Sequence, residues 1–318
     1  MPSWSLGLIR LGCLSLSEFS KKDGDEMKRI APSVYVEDRF SVPPDDRGCN
    51  PSFVITPEGI VMIDTPMWPS DAVRWRDDLA KKGEVLYIIN THHHPDHITG
   101  NYFFPGTVIS HEEVRQMFHA PVTGKATAQS ADETAGPPLG LRGHILDEIK
   151  ERDPQGFALM EHYYLKEPTI TFSEQLNLYV GQHEFELIHL PGHTSGHIGV
   201  YLAKEGIFFA GDNFTNGVQP LLSHSLPLDW VESLKRIELM DIDIVVPGHG
   251  EVCGKSEIQQ FRLFIQECID IVGEAIRKGM SKDQAANEIS LEQLYPAIHP
   301  GQEQERMNIL RLYEMLSK

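Results

Sequence analysis

Cysteine is scarce: Cys13, Cys49, Cys253 and Cys268 are the only ones in 318 residues. None is paired as C-x-x-C, which excludes a thioredoxin-type redox motif and a zinc knuckle. Their wide spacing fits free thiols in a reducing cytosol better than a disulfide framework, so a cytoplasmic location is expected. Long apolar runs are also lacking, and no stretch reaches the roughly 18 residues of a membrane span. Positive charge is short as well: 28 Lys plus Arg stand against 46 Asp plus Glu, a net charge of −18. Basic clustering amounts to short pairs such as Lys21-Lys22 and Lys28-Arg29, so a phosphate backbone finds nothing to dock on. What is present is 41% hydrophobic and 23% charged residues, the balance of a folded domain and not of a disordered or fibrous chain. The expected partner is a small-molecule substrate, with no nucleic acid and no membrane; a homo-oligomer is left open.

Residues 1–27 read as a disordered tail, polar after Ser15. Arg10 interrupts the mildly apolar Trp4 to Gly12, which makes a poor signal peptide. Ser52 to Thr56 and Ile60 to Asp64 are β-rich and separated by Pro57-Glu58-Gly59, which predicts a hairpin. Asp71 to Lys82 reads as a helix stopped by Gly83, and Val85 to Asn90 as a short buried strand. Further strands are expected from Gly181 to Leu190, His197 to Ala203, Ile207 to Gly211 and Ile242 to Val246. Trp230, Leu234, Ile237 and Met240 share one face of a helix over Asp229 to Met240. The last part is helical, with Ser256 to Gly279 and Gly301 to Ser317 as its main helices. The resulting division is a catalytic domain over 28–255 and a helical extension over 256–318 packed on it. An irregular insertion at about 111–168, rich in Pro and Gly, is a candidate lid. Its Met117, Phe118, Phe157, Leu159, Met160, Tyr163 and Tyr164 either wall a pocket or pack the insertion itself. His224 and Trp230 are candidates for the mouth of the site.

The chemistry concentrates in Thr91-His92-His93-His94-Pro95-Asp96-His97, directly after a buried strand. Imidazole nitrogens and carboxylate oxygens are the donors of hydrolytic zinc sites. A tight turn there could aim His92 and His94 at one ion, and Asp96 and His97 at a second. His193, Asp212 and His249 stand at equivalent places, each on a loop after a strand with glycine beside it. Isolated histidines are usually surface or satisfied core residues. The ordered set H-x-H-x-D-H, G-H-T-x-G-H, G-D and P-G-H-G is hard to obtain by accident.

This set resembles the metallo-β-lactamase-fold hydrolase superfamily from about Ser33 to Cys253. THHHPDH at Thr91 to His97 is its most specific piece, with IDTP at Ile63 to Pro66, PGHTSGH at Pro191 to His197, FAGD at Phe209 to Asp212 and PGHG at Pro247 to Gly250. The resemblance implies an α/β fold, a four-layer αβ/βα sandwich. It also implies two zinc ions, with iron or manganese as substitutes. One metal would be held by His92, His94 and His193, the other by Asp96, His97 and His249, and Asp212 would bridge both. Asp64 would orient a ligand histidine from outside the coordination shell. A hydroxide between the metals would attack a carbonyl polarised by one of them. Asp96 would also take up a proton, and His197 is a pocket or a structural residue, the structural role being favoured.

Within the superfamily, Asp212 stands where the commonest β-lactamases carry cysteine, and Thr215 where quorum-signal lactonases carry tyrosine. GHTSGH and GHGE are shared with glyoxalase II, and the chain is most similar to the broad group of glyoxalase-like metal-dependent hydrolases. The expected reaction is hydrolysis of an ester, thioester, lactone or amide of a small molecule. The alternatives are a mononuclear iron persulfide dioxygenase-like oxidoreductase and a β-lactam-hydrolysing enzyme.

Overall fold

The structure is a computed structural model that describes residues 27–38, 40, 48–119, 143–291, 294 and 302–317. The expected tail therefore lies outside the described residues except for Met27, as does 120–142, the centre of the candidate lid.

The first sheet is built from β1 (Lys28–Ala31), β2 (Val34–Val36), β3 (Ser52–Ile55), β4 (Ile60–Ile63), β5 (Val85–Ile89), β6 (Thr107–His111) and β7 (Ile170–Phe172), side by side in that order. The second is built from β8 (Gln175–Val180), β9 (His183–His189), β10 (Ile198–Leu202), β11 (Ile207–Asn216) and β12 (Ile244–Gly250), in the order β12-β11-β10-β9-β8. β3 and β4 form the expected antiparallel hairpin, and β4, β5 and β6 then run parallel. Every residue of β4 is buried because both faces of the sheet are covered. Val61 and Ile63 face inward with Val54, Ile89 and Ile109, meeting Phe185, Leu187, Val200 and Phe209 of the second sheet. Ile60 and Met62 face outward, as the two-residue period of a strand requires.

On the outer face of the first sheet lies α1 (Pro69–Leu79), whose Trp75 and Leu79 pack with Phe53, Ile60, Met62 and Ile88. α2 (Pro95–Ile98) carries the end of the histidine motif. The described part of the insertion folds as α3 (Glu112–His119), α4 (Gly143–Arg152) and α5 (Pro154–Phe157). Met160 and Tyr163 join the same core as Trp75, with Phe118 and Phe157 packed against it, while Met117, Leu159 and Tyr164 are exposed. Phe118, Phe157, Met160 and Tyr163 thus pack on the outer face of the first sheet. The Asp153 carboxylate accepts from the backbone N–H of Ser70 at 2.9 Å and from its hydroxyl at 2.6 Å, tying α5 to α1.

The outer face of the second sheet is covered by α6 (Pro227–Glu238), α7 (Ser256–Arg277), α8 (Lys282–Glu288) and α9 (Gln302–Leu316). Phe208, Ala210 and Val245 pack there against Trp230, Leu234, Ile258, Phe261, Ile265, Ile309 and Leu312. Helix, sheet, sheet and helix make four layers, the expected α/β sandwich.

The boundaries differ from the sequence reading for identifiable reasons. α1 and α6 each begin about one half-turn early because Pro69 and Pro227 occupy the first turn, where a missing N–H costs nothing. β11 and β12 run on through Asp212 and His249, so these residues sit in paired strands and not in loops. Their ladder breaks register between Phe209 and Gly211 and again before Thr215, which pairs with His249. Pro247 is tolerated because β12 is an edge strand.

Candidate metal centre

β4 is hydrogen-bonded parallel to β5, so Asp64 emerges next to the start of the histidine turn. Asp64 is the only described non-glycine residue with positive φ, at 55°. Its Oδ1 accepts the backbone N–H of Thr91 at 2.8 Å, and its Oδ2 accepts the Thr91 hydroxyl at 2.8 Å. The same Oδ2 lies 2.8 Å from His97 Nδ1. Donation from Nδ1 leaves Nε2 of His97 as the atom with a free lone pair. Pro95 starts α2 immediately after His94, so one helical turn separates the direction of His94 from that of His97.

Strand ends supply the remaining groups. The backbone N–H of His193 donates to Asn213 Oδ1 at 2.8 Å, and Asn213 Nδ2 donates to the carbonyl of Leu190 at 2.6 Å. Gly211 has φ +49°, and a Cβ there would fall 2.7 Å from Thr91 Oγ1 and 2.8 Å from His197 Nε2. A Cβ at Gly248 would fall 2.0 Å from Asp212 Oδ1. The two glycines let the backbones of β11 and β12 close around the site. Asn50 Nδ2 donates to the carbonyls of Pro247 at 3.0 Å and Gly250 at 2.7 Å, fixing the strand that carries His249.

Ligand atoms of His92, His94, His193 and Asp212 lie within 4.8 Å of one another, and so do those of Asp96, His97, Asp212 and His249. Asp212 belongs to both groups. Its Oδ2 is 3.8 Å from His92 Nε2 and 3.4 Å from His193 Nε2. Its Oδ1 is 3.1 Å from His97 Nε2 and 3.4 Å from His249 Nε2. Asp96 Oδ2 stands 3.1 Å from His249 Nε2 and 3.4 Å from His97 Nε2. All the sequence-derived ligand candidates thus converge at the same ends of the two sheets.

The donor set fits a pair of cations. His92 Nε2, His97 Nε2 and Asp212 Oδ1 are buried with no hydrogen-bond partner. Each such orphan costs about 1–3 kcal/mol in a dry interior, and the three face one another. Burial holds His92 and His94 well below the usual imidazole range and lowers His193 to about 4, so these rings stay neutral and keep a lone pair. Burial also opposes charge on His97 and His249. Beside His97, however, the Cys49 sulfur and the carboxylates of Asp212, Asp96 and Asp64 prevail, raising it well above its ordinary value, and beside His249 the carboxylates of Asp212 and Asp96 raise it to about 10. A region that pulls protons so strongly has the negative field a dication needs. His92, His97 and His193 are at most 1% exposed, whereas the Asp96 and His249 side chains are 24% and 17% exposed, so solvent reaches the centre from that side.

Cys49, Asp64 and His97 also lie close together. Burial pushes the Cys49 thiol up to about 12, and a neutral thiol is a poor ligand.

His197 is buried behind His92, its ring 5.1 Å away, and its Nε2 accepts the backbone N–H of Asn213 at 3.2 Å. It belongs to neither ligand group, in keeping with the structural alternative. Trp230 is fully buried and donates from Nε1 to the carbonyl of Asn213 at 2.9 Å, so it supports the site from below and does not line its mouth. His224 does reach the centre, with Nδ1 2.8 Å from His94 Nε2. Sequence reasoning missed Asn50, Asn90, Asn101 and Asn213. Asn90 Nδ2 donates to the His97 carbonyl at 3.2 Å and to Asn101 Oδ1 at 3.1 Å.

A domain with this sandwich and these histidines is a metallohydrolase-type fold. The family model described as metallo-beta-lactamase superfamily matches residues 44–249, and the chain belongs to that superfamily. Among relatives, it is 24% identical over 261 residues to a linear primary-alkylsulfatase of Pseudomonas sp., covering 74% of this chain and 48% of the alkylsulfatase. It is 26% identical over 193 residues to the acyl-coenzyme A thioesterase MBLAC2 of Homo sapiens, covering 59% of this chain and 63% of the thioesterase. It is 22% identical over 278 residues to the metallo-beta-lactamase type 2 of Elizabethkingia meningoseptica, covering 83% and 94%. The chain thus spans about half of the alkylsulfatase and under two thirds of the thioesterase. Among solved structures, a metallo-beta-lactamase family protein of Thermus thermophilus superposes with TM-score 0.60 at 18% identity, covering 89% of this chain and 92% of that one. Superfamily members of this kind are mostly metal-dependent hydrolases. Among the described residues no helix is long and apolar enough to cross a membrane.

Proposed function

We propose that the chain is a dinuclear metal-dependent hydrolase that cleaves an ester, thioester, lactone or amide bond of a small molecule. One observation carries the reading: the two oxygens of Asp212 face two separate donor groups, Oδ2 toward His92 and His193, Oδ1 toward His97 and His249. His92, His94 and His193 would hold one ion; Asp96, His97 and His249 would hold the other. Bound there, divalent cations supply Lewis acidity and a hydroxide-strength nucleophile at neutral pH.

The chain's own residues do the positioning. Asp64 keeps the His97 proton on Nδ1 and its lone pair on the ligand side. Asn213 fixes the backbone of His193, and Asn50 that of β12 below His249. Asp96, the most exposed carboxylate of the centre, would take up a proton on the solvent side. Thioesters are one substrate class to test, since an acyl-coenzyme A thioesterase is among the relatives. Zinc is proposed as the native metal on the nitrogen-rich donor set.

Metal content after exhaustive dialysis tests the centre: about two equivalents per chain are expected, and a folded protein that retains none ends the reading. A parallel screen of esters, acyl-coenzyme A thioesters, lactones, alkyl sulfates and β-lactams then assigns the bond cleaved. Oxygen uptake with a thiol persulfide, in place of hydrolysis, would favour an iron oxidoreductase.

A further inference from the structure

His94 is held at both ring nitrogens. Its Nδ1 is 2.9 Å from His193 Nε2, within the first donor group, and its Nε2 is 2.8 Å from His224 Nδ1. A neutral imidazole has one lone pair and one N–H. If Nδ1 faces the donor group as a ligand, Nε2 carries the proton, and His224 Nδ1 is the acceptor that meets it. We propose that His224 is a positioning residue for His94, fixing the tautomer and ring plane in which His94 offers Nδ1 to the first metal. The inference rests on the metal reading above.

His224 is itself placed by the C-terminal extension. It lies in a turn where Leu222 donates its backbone N–H to Asn308 Oδ1 at 2.8 Å, and Asn308 Nδ2 donates to the carbonyl of Pro220 at 3.0 Å. Arg311 Nε donates to the carbonyl of Ser225 at 3.0 Å. Asn308 and Arg311 both belong to α9, so the last helix grips the turn on either side of His224. On the inner side, Leu226 donates its N–H to the carbonyl of Gly192, beside His193, at 2.7 Å. One short turn therefore links α9 to two ligand histidines.

His93, His94 and His224 also bring ring nitrogens within 4.8 Å of one another, which raises a third metal site as a rival. Such a site would require His94 to lose both ring protons while serving the first group. A hydrogen bond needs only the neutral ring.

The test uses the full-length protein loaded with cobalt(II), and compares His224→Leu, His224→Asn and His224→Gln. Asn places an acceptor near the position of Nδ1; Gln places one near Nε2; Leu has none. Chelator competition gives the affinity of each equivalent, and the visible absorption bands report the ligand field. Wild-type protein and His224→Asn are expected to bind two equivalents alike. In His224→Leu and His224→Gln one equivalent weakens by about 10–100-fold with altered bands, while the other holds. Unchanged affinities and bands in Leu and Gln overturn the role of His224. So does a third equivalent in wild type that every substitution abolishes. Should His224→Leu fail to fold, the Asn and Gln pair still decides, since only the place of the acceptor differs. Wild-type protein that binds no cobalt overturns the metal reading itself, a separate result.

Discussion

Replacing Asp64 with Asn changes one atom of a carboxylate that makes three hydrogen bonds at 2.8 Å. Asparagine tolerates the positive φ of 55° at this position nearly as well as aspartate, so backbone strain is held constant. The amide oxygen can keep the Thr91 N–H, but the amide nitrogen then occupies the place of Oδ2 and confronts His97 Nδ1–H. Two donors cannot pair. The ring either loses its partner or moves its proton to Nε2, the atom that faces Asp96 and Asp212. In the first case a charge-assisted bond is lost, about 1.5–3 kcal/mol, which in a chain of this size lowers Tm by roughly 2–4 °C. In the second case His97 ceases to be a ligand. Metal affinity of the Asp96–His97–His249 group should fall by about 10–100-fold in either case, the usual effect of removing an outer-shell partner. The affinity of the other group should change far less. Calorimetry of stepwise zinc binding and thermal melting of the metal-free protein measure the two effects. Two zinc equivalents with wild-type affinities and an unchanged Tm would refute the claim that Asp64 sets the tautomer of His97.

The remaining predictions follow from the same geometry. Asp212→Asn leaves each donor group without its shared carboxylate charge, so bound metal should fall from about two equivalents toward one, read by elemental analysis after dialysis. Gly211→Ala forces φ +49° on a residue with a Cβ, which costs about 1–2 kcal/mol, and adds contacts under 3.0 Å to Thr91 and His197. A loss of about 2–4 kcal/mol in all is expected, visible as a lower denaturant midpoint; a midpoint like that of wild type would contradict the crowding. Stripping metal with a chelator should lower Tm reversibly. At free metal 100 times the dissociation constant, the stabilisation removed is about 2.7 kcal/mol.

The centre was legible in the sequence because its chemistry is local. His92, His94, Asp96 and His97 share one turn, and His193, Asp212 and His249 each follow a β-rich run beside glycine. Both sheets could be anticipated where strands are apolar throughout, as in β4 and β5, and where hairpins carry turn residues. The short or weakly patterned strands could not. β8 alternates exposed and half-buried residues, and β1, β2 and β7 are three or four residues long, so neither period nor length marks them. α8 was missed although Ser281 and Gln284 form a capping box, because it carries almost no apolar stripe: only Ala285 and Ala286 are buried.

What holds the ligands was invisible for a different reason. Asn213 acts on His193, 20 positions away, and Asn50 acts on Pro247 and Gly250, about 200 positions away. A single Asn in a sequence has no pattern, and its role exists only after the strands have been paired. The same separation explains the stiffness of the centre. Asp64, Asn50 and Asn213 each join strands or turns that reach the site from different parts of the chain, and they tie His97, the backbone of His193 and the strand that carries His249 to other elements. A cation entering the first donor group meets imidazoles that burial keeps neutral, whereas one entering the second displaces the protons that the neighbouring carboxylates hold on His97 and His249. Loss of metal should therefore lower stability without unfolding the domain, unlike a zinc finger, whose fold exists only with the ion. Far-ultraviolet circular dichroism of the chelated protein decides this: a native-like spectrum is expected, and a collapse to an unfolded one would mean that the ions, not the two sheets, hold the site together.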